Sequence, residues 1–165
     1  NLVLSTVGDA RVFERLAALD AGDVKPALAL SLHTTNDARR TALLPRAPKI
    51  TVEQLVAHGE RYARASGYPM QVQWTLMAGV NDGDDEVEGI VALLRGKHAI
   101  LNLIPFNAID GAAYRRPGVE RCNELFRRLN QRGVLTRLRQ SAGQDVDAGC
   151  GQLRSRAATI LLQPV

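Results

Sequence analysis

Two hydrophobic periodicities alternate along the chain. Short, mainly apolar runs predict strands, and these runs occupy residues 2–4, 27–33, 72–77, 100–104 and 134–138. Segments with apolar residues three or four positions apart predict helices, and they occupy about residues 9–19, 36–44, 51–67, 84–95 and 118–132. Strands that alternate with helices in this order predict a parallel sheet covered by helices, which is an α/β fold.

Local signals predict where several of these elements begin and end. Thr51 and Gln54 have the spacing of a capping box, which starts a helix by satisfying its free amide groups. Asn36 is a candidate cap for the short helix predicted at about residues 36–44, and Pro105 ends the fourth strand.

Polar residues follow the ends of the predicted strands. Ser5 ends the first run, Ser31 and His33 end the second, and Asn107 follows the fourth. Because side chains alternate along a strand, Ser31 and His33 are predicted to share one face. In barrel-like α/β enzymes the carboxyl ends of the strands form the rim where ligands bind. His33 can equally be a hydrogen-bonded structural residue.

Length and composition predict a single soluble domain. The chain has 165 residues, which is enough to bury a hydrophobic core. No apolar run approaches the roughly 18–20 residues of a membrane span. Two cysteines far apart in sequence do not make a disulfide framework. We expect a cytoplasmic protein that does not contact a membrane. The chain opens directly on a strand-like run, so we also expect an upstream part.

Positive charge is concentrated near the end of the chain. Residues 115–156 hold ten arginines against four acidic residues, whereas residues 1–114 hold 11 basic and 13 acidic residues. Arginine binds phosphate through a planar fork of donors. The segment therefore favours a nucleic-acid partner, with a solvated basic helix face as the alternative.

Cys150 is the candidate reactive residue. It lies between two glycines in DVDAGCGQL (145–153), where the backbone can turn freely and bring a thiol close to a ligand. A loop thiol without a role is an equally open interpretation. Cys122 lies on the apolar stripe of its helix and is predicted to be a core residue.

Several segments together resemble the RlmN/Cfr family of radical S-adenosylmethionine (SAM) RNA methyltransferases. They are STVG (5–8), SLHTTND (31–37), GVND (79–82), NLIPFN (102–107), YRRP (114–117) and DVDAGCGQL (145–153). The likeness extends from Leu2 to about Arg156. It implies the second part of a partial (β/α) TIM-like radical SAM barrel at residues 1–135. Residues 136–165 would be a C-terminal extension with the cysteine loop.

The resemblance also implies a chemistry. The family methylates an aromatic carbon of adenine in 23S rRNA, and RlmN also acts on tRNA. Cys150 matches the cysteine that accepts a methyl group from SAM and becomes S-methylcysteine. A second SAM is cleaved reductively at a [4Fe-4S] cluster, with electrons from a donor such as flavodoxin. Positions that match the family's SAM contacts are Ser5, Ser31, Leu32, His33 and Asn107. The expected RNA-binding arginines are Arg115, Arg116, Arg137 and Arg139.

Departures from the family leave alternatives open. The cluster-binding CxxxCxxC and the resolving cysteine are absent from this sequence, so we expect this chain by itself to bind no cluster and to be inactive. Its first strand would then have an unpaired edge that favours self-association. The family usually has Ala-Ala-Cys where this chain has Ala148-Gly149-Cys150. The methylated position can therefore be C2 or, as in Cfr, C8. The substrate can also be a different RNA. A non-catalytic RNA-binding module is the alternative from a different class.

Overall fold

The computed structural model describes residues 2–20, 22–107 and 113–139. Within these ranges strands and helices alternate along the chain as the periodicity predicts. In chain order they are β1 (Val3–Thr6), α1 (Ala10–Ala17), β2 (Ala27–Ser31), α2 (Asp37–Leu43), α3 (Val52–Ser66), β3 (Met70–Leu76), α4 (Asp84–Leu94), β4 (Ala99–Pro105), α5 (Val119–Gln131) and β5 (Thr136–Leu138).

The described strands form one parallel sheet in the order β1-β2-β3-β4-β5. Neighbours in sequence are therefore neighbours in space, and right-handed crossovers between such strands place the helices on the same face. The other face of the sheet has no covering helix among the described residues. This arrangement confirms the predicted α/β fold of the barrel type.

The hydrophobic core lies between the sheet and its helices. On β3 the buried residues Met70, Val72, Trp74 and Leu76 alternate with half-buried residues, so one face of the strand packs against the helices. Trp74 and Cys122 are both buried in this core, which confirms the prediction for Cys122.

The predicted helix starts are confirmed. The Thr51 hydroxyl accepts a hydrogen bond from the Gln54 amide at 3.2 Å, and the Gln54 side chain accepts from the Thr51 amide at 3.3 Å. The Asn36 side chain accepts from the Arg39 amide at 2.9 Å and caps α2. Gly67 ends α3 with φ of +80°, a conformation that glycine adopts without strain.

One predicted strand is too long. The second strand ends at Ser31, and His33 has φ of +65°, so the prediction that Ser31 and His33 share a face of one continuous strand is wrong. The side chain of Asn81 holds the His33 carbonyl oxygen at 2.7 Å, and this contact with a distant residue turns the backbone out of the strand.

The last described strand extends the sheet by a short edge. β5 pairs with β4, and the Arg139 amide donates to the Leu103 carbonyl at 2.8 Å. The predicted extension thus begins with residues that belong to the sheet, and most of it lies outside the described residues. No helix in the described ranges has both the length and the apolar character needed to cross a membrane.

Candidate functional site

The loop after β2 is held in place by a buried carboxylate on α4. Glu86 is 1% exposed. Its oxygens accept hydrogen bonds from the Thr35 amide at 2.7 Å and the Thr35 hydroxyl at 2.6 Å. The Thr34 hydroxyl and the Arg39 guanidinium donate to it as well. A buried carboxylate that receives this many donors fixes the rim-forming loop in one conformation.

A buried amide joins the ends of β2 and β3. The Asn81 side-chain nitrogen donates to the carbonyl oxygens of His33 and Thr75, both at 2.7 Å. Its oxygen accepts from the Met77 amide, also at 2.7 Å. These bonds stabilise the positive φ of His33, a conformation that costs free energy in a residue with a side chain.

The His33 imidazole has a defined role at this rim. Its Nδ1 accepts a hydrogen bond from the Thr75 amide at 3.0 Å. Burial, and to a smaller extent the charge of Arg40, lowers the pKa of His33 to about 4. The ring is therefore neutral near pH 7, and its proton is on Nε2. No described residue accepts from Nε2, which leaves this N–H as a hydrogen-bond donor for a ligand.

Arg40 joins the ends of β1 and β2. Its guanidinium donates to the carbonyl oxygens of Val7 and, at 3.2 Å, Ser31. Burial lowers the pKa of Arg40, and its Nε has no hydrogen-bond partner among the described residues. The arginine thus occupies the Ser31 carbonyl oxygen, and the Ser31 hydroxyl forms no hydrogen bond with a described residue.

A second group of predicted residues meets at the end of β4. Arg116 Nη1 donates to Asn107 Oδ1 at 3.2 Å. The Ala78 amide donates to the Arg115 carbonyl at 2.9 Å, which holds the segment before α5 against the end of β3. The Asn107 oxygen is thus occupied, and the side-chain N–H groups of Asn107 are its free donors.

The structure brings most of the predicted SAM-binding residues to the carboxyl ends of the strands. Ser31, His33 and Asn107 lie at the ends of β2 and β4. Ser5 lies in the edge strand β1 and is exposed. The Leu32 side chain is fully buried in the core, so only its main chain can contact a ligand. Cys150 lies outside the described residues.

Part of the basic segment pairs with acids on the neighbouring helix. Arg121 and Arg128 contact Asp84 at 3.0 and 2.7 Å. The Arg132 guanidinium donates two hydrogen bonds to the Glu88 carboxylate, one of them from Nη2 to Oε2 at 2.8 Å. These arginines connect α5 to α4 and are distinct from the four arginines expected to bind RNA. Their charges are used within the protein.

The four arginines predicted to bind RNA lie elsewhere. Arg115 and Arg116 are in the segment before α5, at the rim, and Arg137 and Arg139 are exposed on β5 and directly after it. Arg137 and Arg139 form no salt bridge with a residue in the described part of the chain. They remain candidates for phosphate contacts.

A row of polar residues crosses the face of the sheet that the described helices leave open. Ser31, Gln73, Asn102 and Arg137 are consecutive partners in the register of β2 to β5. Paired residues of parallel strands point to the same side, and their neighbours in β3 and β4 point into the core. Sequence reasoning did not identify Gln73 and Asn102. The polar residues at every second position of β3 (Gln71, Gln73 and Thr75) are the signal that could have found them.

The rim fits SAM better than it fits an iron–sulfur cluster. Ser31, His33 and Asn107 offer a hydroxyl, an imidazole N–H and an amide, the neutral donors that a cofactor with hydroxyl, amino and carboxylate groups can use. A [4Fe-4S] cluster is held by cysteine thiolates, and the chain has two cysteines, of which Cys122 is buried in the core. The described residues contain no cluster of His, Cys, Asp or Glu that could hold a metal ion.

Comparison with known proteins gives relatives over nearly the whole chain. A probable RNA methyltransferase from Methylibium petroleiphilum is 66% identical over 95% of this chain and 44% of its own length. Probable RNA methyltransferases from Aromatoleum aromaticum and Stutzerimonas stutzeri are 61% and 60% identical over 99% and 98% of this chain, and each is matched over 46% of its length. The chain thus spans less than half the length of these relatives. No family model matches the chain.

Solved structures with the same fold include a radical SAM methyltransferase from Sphaerobacter thermophilus. It superposes with a TM-score of 0.81 and 37% identity over 91% of this chain and 43% of that chain. A domain of a pyruvate-formate lyase-activating enzyme from Bacteroides vulgatus has a TM-score of 0.62 at 14% identity, which shows a shared fold.

Proposed function

We propose that the chain is part of an RlmN-like radical SAM methyltransferase and that the whole protein methylates C2 of an adenine in 23S rRNA or tRNA. The observation that carries the proposal is the rim at the ends of β2 and β4. Ser31, His33 and Asn107 present donors there, and the relatives and the structural neighbour are methyltransferases.

The residues of the rim would bind and orient SAM. The neutral His33 donates through Nε2, because Nδ1 is occupied by the Thr75 amide. Asn107 donates through its amide nitrogen, because Arg116 holds its oxygen. When bound, SAM supplies the methyl group and, with a [4Fe-4S] cluster held by another part of the protein, radical chemistry for an adenine carbon that is scarcely acidic.

We assign to Cys150 the role of methyl acceptor. Its thiolate is the nucleophile: the sulfur forms a bond to the methyl carbon while the sulfonium sulfur of SAM leaves as S-adenosylhomocysteine. Gly149 and Gly151 flank Cys150 in the sequence, and glycine allows close approach of the backbone to a ligand, which the proposed transfer from cofactor to base would require.

The arginines outside the α4–α5 salt bridges would hold the RNA. Arg137 and Arg139 are exposed on the β5 side, and Arg115 and Arg116 lie at the rim. Contacts from arginine to phosphate position a nucleic acid without reading its sequence. The proposed setting is the cytoplasm, with a flavodoxin-type electron donor.

The proposal is tested by Cys150→Ala in the full-length protein. We expect wild-type protein to form 2-methyladenosine in 23S rRNA or tRNA, and the variant to lose this product. The measurement is mass spectrometry of nucleosides after incubation with SAM and a reductant. Cys122→Ala is the matched control, since it removes the other cysteine, which is buried in the core, and it should keep methyl transfer.

Other outcomes identify the alternatives. Formation of 8-methyladenosine would contradict the assignment to C2 and favour a Cfr-like reaction. Full methylation by Cys150→Ala would contradict its role as acceptor. RNA binding by the wild-type protein without any methylated product would favour the non-catalytic module.

A further inference from the structure

The polar row on the open face of the sheet contains two amide side chains in adjacent strands. Gln73 of β3 pairs in register with Asn102 of β4. Ser31 continues the row on the β2 side and Arg137 on the β5 side. Adjacent strands are about 4.8 Å apart, so the row extends over about 14 Å.

Asn102 is buried without a hydrogen-bonding partner. It is 6% exposed, yet its side chain makes no hydrogen bond to any described residue, and neither does the half-buried Gln73. Arg40 Nε is the one fully buried side-chain polar atom without a partner among the described residues, so the Asn102 amide keeps some contact with the open face. Two adjacent amides whose donors and acceptors no described residue uses can bind a ligand with complementary groups.

The chemistry of the row narrows the class of ligand. The row contains no carboxylate, so a cation or metal ion has no counter-charge there. Each amide offers a donor and an acceptor side by side, which matches the amino group and adjacent ring nitrogen of adenine. Arg137 at one end adds a positive charge for a phosphate or carboxylate attached to the same ligand.

We propose that Gln73 and Asn102 bind an adenine ring on the open face of the sheet and discriminate it from other purines by its amino group. The inference rests on the proposed function, which provides two sources of adenine, SAM and the target nucleotide of the RNA. The amino group donates to an amide oxygen, and a ring nitrogen accepts from an amide N–H.

The experiment measures binding to the full-length protein, so it does not depend on methyl transfer. In the first arm, S-adenosylhomocysteine is compared by calorimetry with its analogue that lacks the 6-amino group. In the second arm, adenosine 5′-monophosphate is compared with the matching 6-amino-free nucleotide, with S-adenosylhomocysteine at saturation. We expect a preference for adenine of about tenfold in one arm. The arm that shows it identifies cofactor or target base as the source.

The variants Gln73→Met and Asn102→Leu keep the size of the side chain and remove the amide. Each should abolish most of the tenfold preference, because binding of the adenine ligand weakens more than binding of the 6-amino-free ligand. Gln71→Met is the matched control, because Gln71 lies on the same face of β3 but pairs with Ala29 and Ile100. It should keep the preference.

Two results would overturn the proposal. One is a wild-type protein without a preference for adenine in either arm. The other is an unchanged preference in both variants with a lower melting temperature, which would mean that the amides pack against another part of the protein. Failure of the Cys150 experiment leaves these binding measurements interpretable, so the two hypotheses are tested separately.

Discussion

Burial keeps the His33 ring neutral in mildly acidic solution, where a surface histidine is protonated. Its pKa is lowered from 6.5 to about 4, mainly because burial disfavours the charged form. The hydrogen bond from the Thr75 amide to Nδ1 also requires a ring without a proton on that atom. The neutral state is therefore built into the way the ends of β2 and β3 meet.

This charge state makes the stability of the protein depend on pH. Because the folded pKa is below that of an unfolded histidine, the unfolded chain binds the proton first as the pH falls. His33 therefore contributes stability above about pH 6.5 that is lost between there and about pH 4. His33→Asn should reduce the slope of unfolding free energy against pH in this window by up to about 1.4 kcal/mol per unit.

Urea unfolding of both proteins across the window measures the difference. Since carboxylates titrate in the same range, only the difference between wild-type and variant is attributed to His33. Parallel stability curves would contradict the role assigned to its neutral ring.

Single-residue predictions succeeded where the signal is local. Asn36 and Thr51 cap helices as predicted, because a cap is decided by residues a few positions away. Gln73 and Asn102 were missed, because their pairing depends on the register of strands that are far apart in sequence.

At the scale of elements, α4 holds the rim together through its acidic first turn. Glu86 anchors the loop after β2, and Asp84 accepts from two arginines of α5. Acidic residues at a helix N-terminus also interact favourably with the helix dipole. The salt bridges between α5 and α4 were not predicted, because the sequence does not show that acids on α4 lie beside the arginines of α5.

Two adjacent carboxylates of α4 provide a matched pair of variants. Glu86→Gln removes an acceptor from the buried network and should lower the free energy of unfolding by about 2–4 kcal/mol. Asp85→Asn should lower it by less than about 1 kcal/mol, because Asp85 is 64% exposed and contacts Arg39 at 3.0 Å on the surface. Chemical denaturation measures both. Equal effects would contradict the anchoring role of Glu86.

At the scale of the whole molecule, the described strands leave the sheet with two edges and one open face. β1 and β5 lie at the edges, and Leu2 and Val3 on the β1 side are exposed apolar residues. An exposed apolar edge is a template for pairing with another strand. In a longer protein the same edge can pair with a further strand of the barrel.

From the exposed apolar edge at β1 we predict that this 165-residue chain self-associates. Val3→Lys should lower the proportion of dimers and larger species in light scattering, because a lysine on an edge strand opposes strand pairing. Val24→Lys, at another exposed valine outside the strands, is the control and should leave association unchanged. A wild-type chain that stays monomeric at high concentration would contradict the prediction.

The amino-acid sequence by itself determined the order of strands and helices, the helix caps and the family resemblance. These depend on periodicity, on neighbouring residues and on short motifs, all of which are local. Only the tertiary structure decided which face of the sheet stays open, which arginines pair with α4 and which charge state His33 has. Each of these is set by contacts between residues far apart in the chain, and burial and register exist only once the strands have assembled.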